Sequence, residues 1–170
     1  VDADKLGITG TKIVMEWPKF TGYQTDSTGA AKNYEVVASR AEQSLAAPAE
    51  IDLFDLKGKM EMREDGWAEL VASRGHMNRT KQTLDLSQSI RITTDLGETA
   101  DLKAARLDFA KGQIVSEQPV SIKFQRADLD AATMQLFDTG KRAVFTGRVV
   151  MTLKPDPAQP VAPHNIEGLR

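Results

Sequence analysis

The chain has 170 residues, 41% hydrophobic and 27% charged, enough apolar material for one folded domain and too much for a disordered chain. Its 22 basic and 24 acidic residues leave a net charge of -2, which argues against a broad nucleic-acid surface. The absence of cysteine excludes disulfides, thiolate zinc sites and cysteine nucleophiles together.

No apolar run approaches the roughly 18 residues that a membrane helix needs. The chain starts at Val1 rather than at a methionine, so it reads as a processed or truncated product, and whether a signal peptide or an anchor preceded it stays open at this point. Residues 1–11 are small and polar, with Gly7 and Gly10, and read as a loose N-terminal segment. Ile13 and Met15 then alternate within Lys12–Glu16, an edge strand that Trp17-Pro18 ends, because proline cannot donate to a ladder. Asp26-Ser27-Thr28-Gly29 is a turn by composition. Tyr34, Val36 and Ala38 form a short strand. Pro48 counts against a helix in the alanine-rich stretch 41–49. Ile51, Leu53, Leu56, Met60 and Met62 precede Glu64-Asp65-Gly66, a hairpin signal because glycine accepts positive φ without steric cost.

From Leu84 to Leu153 one unit recurs: an alternating strand, a turn, a second alternating strand and a phase slip. Leu84, Leu86, Ile90 and Ile92 run into the turn Asp95-Leu96-Gly97, then Leu102, Ala104 and Leu107. Ile114, Val120, Ile122 and Phe124 lead past Arg126 to Leu129, Ala131, Met134 and Leu136. A third copy begins with Phe145, Val149, Met151 and Leu153. Period-two spacing gives each copy one apolar and one polar face. Leu70-x-Ala72, Leu102-x-Ala104 and Leu129-x-Ala131 hold the same place in the unit. After Ala104 and after Ala131 the apolar residues change parity, the mark of a bulge or of a strand passing from one sheet to the other. The expectation is an all-β antiparallel fold of about a dozen or more short strands, a sandwich or barrel. It spans residues 12–153; residues 154–170, with four prolines, read as an extended tail.

Catalytic chemistry finds little support. His164 lies in the proline-rich tail, and no Ser-His-Asp or histidine cluster surrounds His76, so a surface role outweighs that of a general base. Asp52 with Asp55, and Asp128 with Asp130, match no EF-hand or His/Glu motif. No glycine-rich phosphate loop exists. The expectation is a protein without cofactor or metal and without enzymatic activity. The apolar faces leave two readings open: an ordinary closed core, or two faces that do not fully meet and leave a groove for a lipid. An acyl chain there gains about 0.8 kcal/mol for each buried methylene.

The order of several fragments points further. Phe20-Thr-Gly-Tyr23, Tyr34-Glu-Val-Val-Ala38, Ala41-Glu-Gln43, Ile51-Asp-Leu53 and Asp65-Gly66 come first. The Leu-x-Ala repeats, Ile114-Val-Ser-Glu-Gln-Pro-Val120, Phe137-Asp-Thr-Gly140 and Phe145-Thr-Gly-Arg-Val149 follow. In this order, over roughly Ile13 to Leu153, the chain resembles the LptC family of lipopolysaccharide export, in the divergent form associated with alphaproteobacteria. The resemblance implies an open, twisted antiparallel β-jellyroll of two facing sheets, folded like a taco. It implies a component on the periplasmic side of the inner membrane of a Gram-negative bacterium, anchored by an N-terminal helix that this chain lacks. It implies reception of lipopolysaccharide from the ABC transporter LptB/LptF/LptG and transfer to LptA on the way to the outer membrane.

On that resemblance, lipid contact is expected at inward apolar residues: Phe54, Met62, Leu86, Ile92, Ala104, Ile122, Phe124, Ala131, Met134, Met151 and Leu153. Lys57, Lys59 and Arg148 are rim candidates for lipid phosphates, with a solvated role weighed above that. The partner edges are expected at Ile13 and Met15, facing LptF/LptG, and at Phe145, Val149 and Met151, facing LptA. Self-association through the same open edges is a further expectation. Two alternatives stand beside this reading: an LptA-like soluble bridge, and a closed β-sandwich that serves only as an interaction module.

Overall fold

Alternating apolar and polar residues bury one face of an extended chain, and here they do so along nearly its whole length. The computed structural model describes residues 8–9, 11–62 and 65–155. Most of the expected loose start, Glu64 of the hairpin turn, and the tail from residue 156, with His164, lie outside the described residues.

Fourteen strands are found among the described residues. They are β1 (Ile8–Thr9), β2 (Lys12–Glu16), β3 (Lys19–Thr25), β4 (Ala31–Ser44), β5 (Glu50–Glu61), β6 (Trp67–Asn78) and β7 (Thr83–Thr94). Then come β8 (Thr99–Asp108), β9 (Gln113–Ser116), β10 (Val120–Lys123), β11 (Ala127–Ala131), β12 (Thr133–Phe137), β13 (Arg142–Thr146) and β14 (Val150–Leu153). A single 3-10 turn, Asp138–Gly140, joins β12 to β13. Every pairing is antiparallel, and the fold is the expected open β-jellyroll.

The register divides each long strand in two. One half of β4 to β8 builds a first layer, in the order β1, β2, β4, β5, β6, β7, β8, β9, β12, β13. The other half builds a second layer, in the order β3, β4, β5, β6, β7, β8, β10, β11, β14. Five continuous strands therefore cross a common crease. The register breaks there: between Val71 and Arg74 on β6, and between Ser87 and Ile90 on β7. Asp55, Gln88 and Ser89 hold positive φ of 50°, 65° and 56° at the same level. On β5 and β6 the buried positions change parity there, from Leu53 to Leu56 and from Ala72 to Gly75, whereas on β7 Leu86 and Ile90 keep one parity across two left-handed residues; in each case both halves of the strand turn their apolar side inward.

The strands expected to be short are thus long. β4 has 14 residues and β5, β6 and β7 have 12 each, because a slip such as that in β8 is a bend within a strand; the slip after Ala131 does end a strand, β11, before β12 opens in the other layer. The stretch read as a third copy divides instead. Phe145 belongs to β13 in the first layer, and Met151 and Leu153 to β14 in the second. Trp67–Asn78 opens after a turn in which Met62 N–H donates to the carbonyl of Gly66 at 2.8 Å and Asp65 is left-handed.

The layers share one core. Leu53 and Leu84 are fully buried, and Val36, Leu56, Leu70, Ile90, Leu107 and Met134 nearly so. Each such side chain contributes about 1.5–3 kcal/mol relative to exposure. Opposite the crease the layers present free ends to each other, and these lips bound a trough.

Candidate functional site

The trough is packed in its middle and open at both ends. Its core strip comprises Met60, Met62, Leu107, Phe109, Ile114 and Leu136, around a residual space of about 10 Å³. Toward the N-terminal side a cavity of about 720 Å³ lies between β3 and the β6–β7 turn. Phe20, Tyr34, Met77 and Phe109 give it apolar walls. Lys19 and Arg79 stand at its margin, and no carboxylate lines it. Tyr34 of the second layer and Phe109 of the first stack between this cavity and the core strip. Burial raises the Tyr34 pKa.

At the C-terminal side the inner face continues past the point where the opposite layer covers it. Met151 pairs with the buried Leu129 and Leu153 with the buried Ala127, so both side chains stand on the inward face. Yet Met151 is 54% and Leu153 77% exposed. Across the opening Phe145 pairs with buried Met134, and it packs against the core as Phe124 does. This apolar ledge is the most exposed part of the inner surface. Val149 and Val150 are exposed beside it. Lys154 Nζ lies 2.8 Å from an Asp128 carboxylate oxygen and ties the end of β14 to β11.

The expected inward residues separate into three groups. Met62, Leu86, Ile92, Ile122, Ala131 and Met134 are buried in the core. Phe124, Met151 and Leu153 lie at the open end. Phe54 and Ala104 depart from the expected inward placement. The left-handed Asp55 shifts parity between Leu53 and Leu56, which are both buried, and this leaves Phe54 on the outer face. There the guanidinium groups of Arg40 and Arg74 sit 4.3 and 4.2 Å from its ring centre. In β8 the slip comes one residue early: Ala105 pairs with Leu86 and is buried, whereas Ala104 pairs with Ser87 and is half-buried.

Ile13 and Met15 stand on β2, and Met15 packs on the core. β1 pairs only with Lys12 and Ile13, so among the described residues no strand pairs the outer edge of Val14–Glu16. Lys57 and Lys59 point away from the trough, alternating with buried Leu56 and Met60, and Lys59 pairs with Glu69 at 3.9 Å. Arg148 borders an outer pocket with Pro119 and Asp130.

His76 lies on the outer face, alternating with buried Gly75 and Met77. Its Nδ1 is 2.8 Å from Asp52 and its Nε2 3.5 Å from Glu50. The hydrogen bond to Asp52, followed by that to Glu50, raises its pKa against the effect of burial. Among the described residues no three His, Cys, Asp or Glu side chains converge where an ion could be held. Nor is any helix among them long and apolar enough to cross a membrane.

The sequence reading missed the polar contact between the lips. Its partners, Ser27 and Asp138, lie 111 residues apart and carry no local signal.

A family model described as lipopolysaccharide-assembly, LptC-related, matches residues 11–153. No curated protein matches the chain.

Proposed function

Because the chain belongs to the LptC-related family, its role lies in lipopolysaccharide transport, and we propose that the trough carries the acyl part of the lipid from one partner to the next. In this reading lipopolysaccharide arrives from the LptB/LptF/LptG transporter at the N-terminal edge and leaves to LptA at the C-terminal edge. The 720 Å³ cavity is the entry and the ledge of Phe145, Met151 and Leu153 the exit. Met62, Leu86, Ile92, Ile122, Phe124, Ala131 and Met134 form the path between them. The domain works on the periplasmic side of the inner membrane, held there by a helix upstream of these residues. Residues 12–153 are the working unit, with 1–11 and 154–170 as flanking segments.

One observation carries the reading: Met151 and Leu153 extend the inward apolar face into the open. Exposed apolar side chains on the concave side of a sheet are stabilised by a partner or a lipid, not by water. The sheet edges beside them hold unpaired N–H and C=O groups that a related sheet satisfies by strand addition. The packed middle favours a second reading, a sandwich that only docks partners.

Photo-crosslinking separates the two. A benzophenone side chain at Phe124 or Met151 should trap labelled lipopolysaccharide, whereas one at Phe54, on the outer face, should not. Trapping at none of the inward positions, with partner docking intact, would select the docking module.

A further inference from the structure

Among the described residues the lips of the trough meet at a polar junction. The Asp26–Ala30 turn between β3 and β4 belongs to the second layer, and the Asp138–Lys141 turn after β12 belongs to the first. The Ser27 backbone N–H donates to Asp138 Oδ1 at 2.7 Å, and its hydroxyl donates to Oδ2 at 2.6 Å. Lys141 Nζ stands 3.7 Å from Asp26 Oδ2. Both turns are built to hold this contact. The Asp26 carboxylate accepts hydrogen bonds from Thr28 and from the Ala30 N–H at 3.0 Å, which shapes its own turn. Asp138 and Thr139 adopt left-handed φ of 53° and 54°, a conformation non-glycine residues keep only where their surroundings enforce it. Thr139 is buried, and its N–H bonds to the Gly112 carbonyl at 2.9 Å.

Beneath this junction lies the packed strip of Met60, Met62, Leu107 and Leu136, whose residual space of about 10 Å³ is that of one water molecule. An acyl chain cannot pass through it as it stands. On the crease side five continuous strands join the layers, so widening there means breaking ladders. On the lip side no ladder joins the layers: the links are the exposed Ser27–Asp138 hydrogen bonds, which water replaces at little net cost, and the Tyr34–Phe109 stack beside the N-terminal cavity. The lips are therefore the side that yields.

We propose that the Ser27–Asp138 pair is a clasp that closes the trough at rest and must part for lipid to pass between the layers. This rests on the lipid-relay reading above. The clasp keeps the middle of the resting protein shut: the packed strip between the two open ends is uncovered only when a chain is there to fill it. The positive-φ residues Asp55, Gln88 and Ser89 mark the crease about which the lips swing.

The test uses the whole 170-residue chain. In a Ser27→Cys/Asp138→Cys variant, a short bis-thiol reagent that is cleavable by reductant locks the lips. Uptake of labelled lipopolysaccharide should fall at least tenfold when locked and return after cleavage. Ser27→Ala, which removes only the hydroxyl bond, should leave the fold intact and speed uptake several-fold. Equal uptake in the locked and cleaved forms overturns the clasp and leaves the relay standing. No uptake by the unmodified protein overturns the relay itself. Spin labels placed on the two turns give a second readout without lipid: Ser27→Ala should broaden their distance distribution, and an unchanged distribution counts against the clasp.

Discussion

Tyr34 and Phe109 stack across the gap between the layers, with ring centres 3.9 Å apart and planes inclined by 10°. Tyr34 sits in the second-layer half of β4, and Phe109 follows β8 in the first layer. Gly22, on the neighbouring β3, leaves room for the tyrosine: a Cβ there would lie 2.5 Å from its hydroxyl oxygen. The pair stands between the packed strip and the 720 Å³ cavity on the N-terminal side. Phe109 is 3% exposed, so Phe109→Ala should cost about 3–5 kcal/mol in chemical denaturation, the range for a truncated core aromatic. Tyr34→Ala should cost less, because the tyrosine is only partly buried. Either change should also join that cavity to the interior and increase binding of an apolar dye. A loss of stability below about 1 kcal/mol for Phe109→Ala would show that the stack does not hold the layers together.

How much of this was legible in the sequence depends on the range of the interaction. Alternation is local, so the all-β class and the inward placement of Leu86, Ile92, Ile122 and Met134 could be read directly. The parity changes after Ala104 and Ala131 were visible too, and they do mark where strands pass between layers. Their meaning for strand length was not visible, since a bulge within a strand and the end of a strand leave the same trace. Phe54 was misplaced because the slip beside it is made by a left-handed aspartate, a conformation that the Leu-Phe-Asp-Leu pattern does not announce. The clasp and the Tyr34–Phe109 stack join residues far apart in the chain, and no periodicity encodes such pairings.

Acid should weaken the lip junction. The Thr28 hydroxyl hydrogen bond, with the Ala30 and Thr28 N–H groups and Lys141, lowers the Asp26 carboxyl from 3.8 to about 2 against the opposing effect of burial. The Ser27 hydroxyl and N–H lower Asp138 in the same way, with help from Lys141 and against the nearby Asp26 charge. A folded pKa below the unfolded value means stabilisation that is complete above the unfolded pKa and is lost as pH falls through the folded one. Between 3.8 and about 2, then, the unfolding midpoint should fall more steeply in the wild type than in Asp26→Asn/Asp138→Asn. Parallel curves for the two proteins would exclude these carboxylates as a source of acid sensitivity.

Gly147 governs the passage from β13 to β14. Its φ is 79°, and a Cβ at this position would lie 2.8 Å from that of Ala132. Its carbonyl accepts the Ala132 N–H at 2.7 Å, at the point where β11 hands over to β12. Gly147→Ala therefore combines left-handed strain with a backbone-adjacent clash, and should cost about 1–3 kcal/mol. Hydrogen exchange should show the loss concentrated in β13 and β14, the two strands the residue connects. Unchanged protection there would mean that the two C-terminal edges are positioned independently of the crossing.

The apolar ledge, the exit in the proposed relay, makes the sharpest separation between stability and transport. Met151 and Leu153 are more than half exposed on a four-residue strand, so replacing both with glutamate removes little buried area. Surface changes of this kind are usually within about 0.5 kcal/mol of neutral, and the thermal midpoint should hardly move. The effect on transfer should be large. Two carboxylates would stand on the apolar path, each having to be desolvated against an acyl chain or a partner's inner face. Lipopolysaccharide uptake at the N-terminal side should persist in Met151→Glu/Leu153→Glu, while transfer to LptA, followed by crosslinking in the acceptor, should drop at least tenfold. The paired control is Val150→Glu. Val150 lies on the same strand but pairs with Asp130 on the opposite face, so a charge there meets water and should leave transfer intact. If Val150→Glu blocks transfer as strongly as the inward pair, the edge of β14 matters as a docking strand alone and its inward face does not carry lipid.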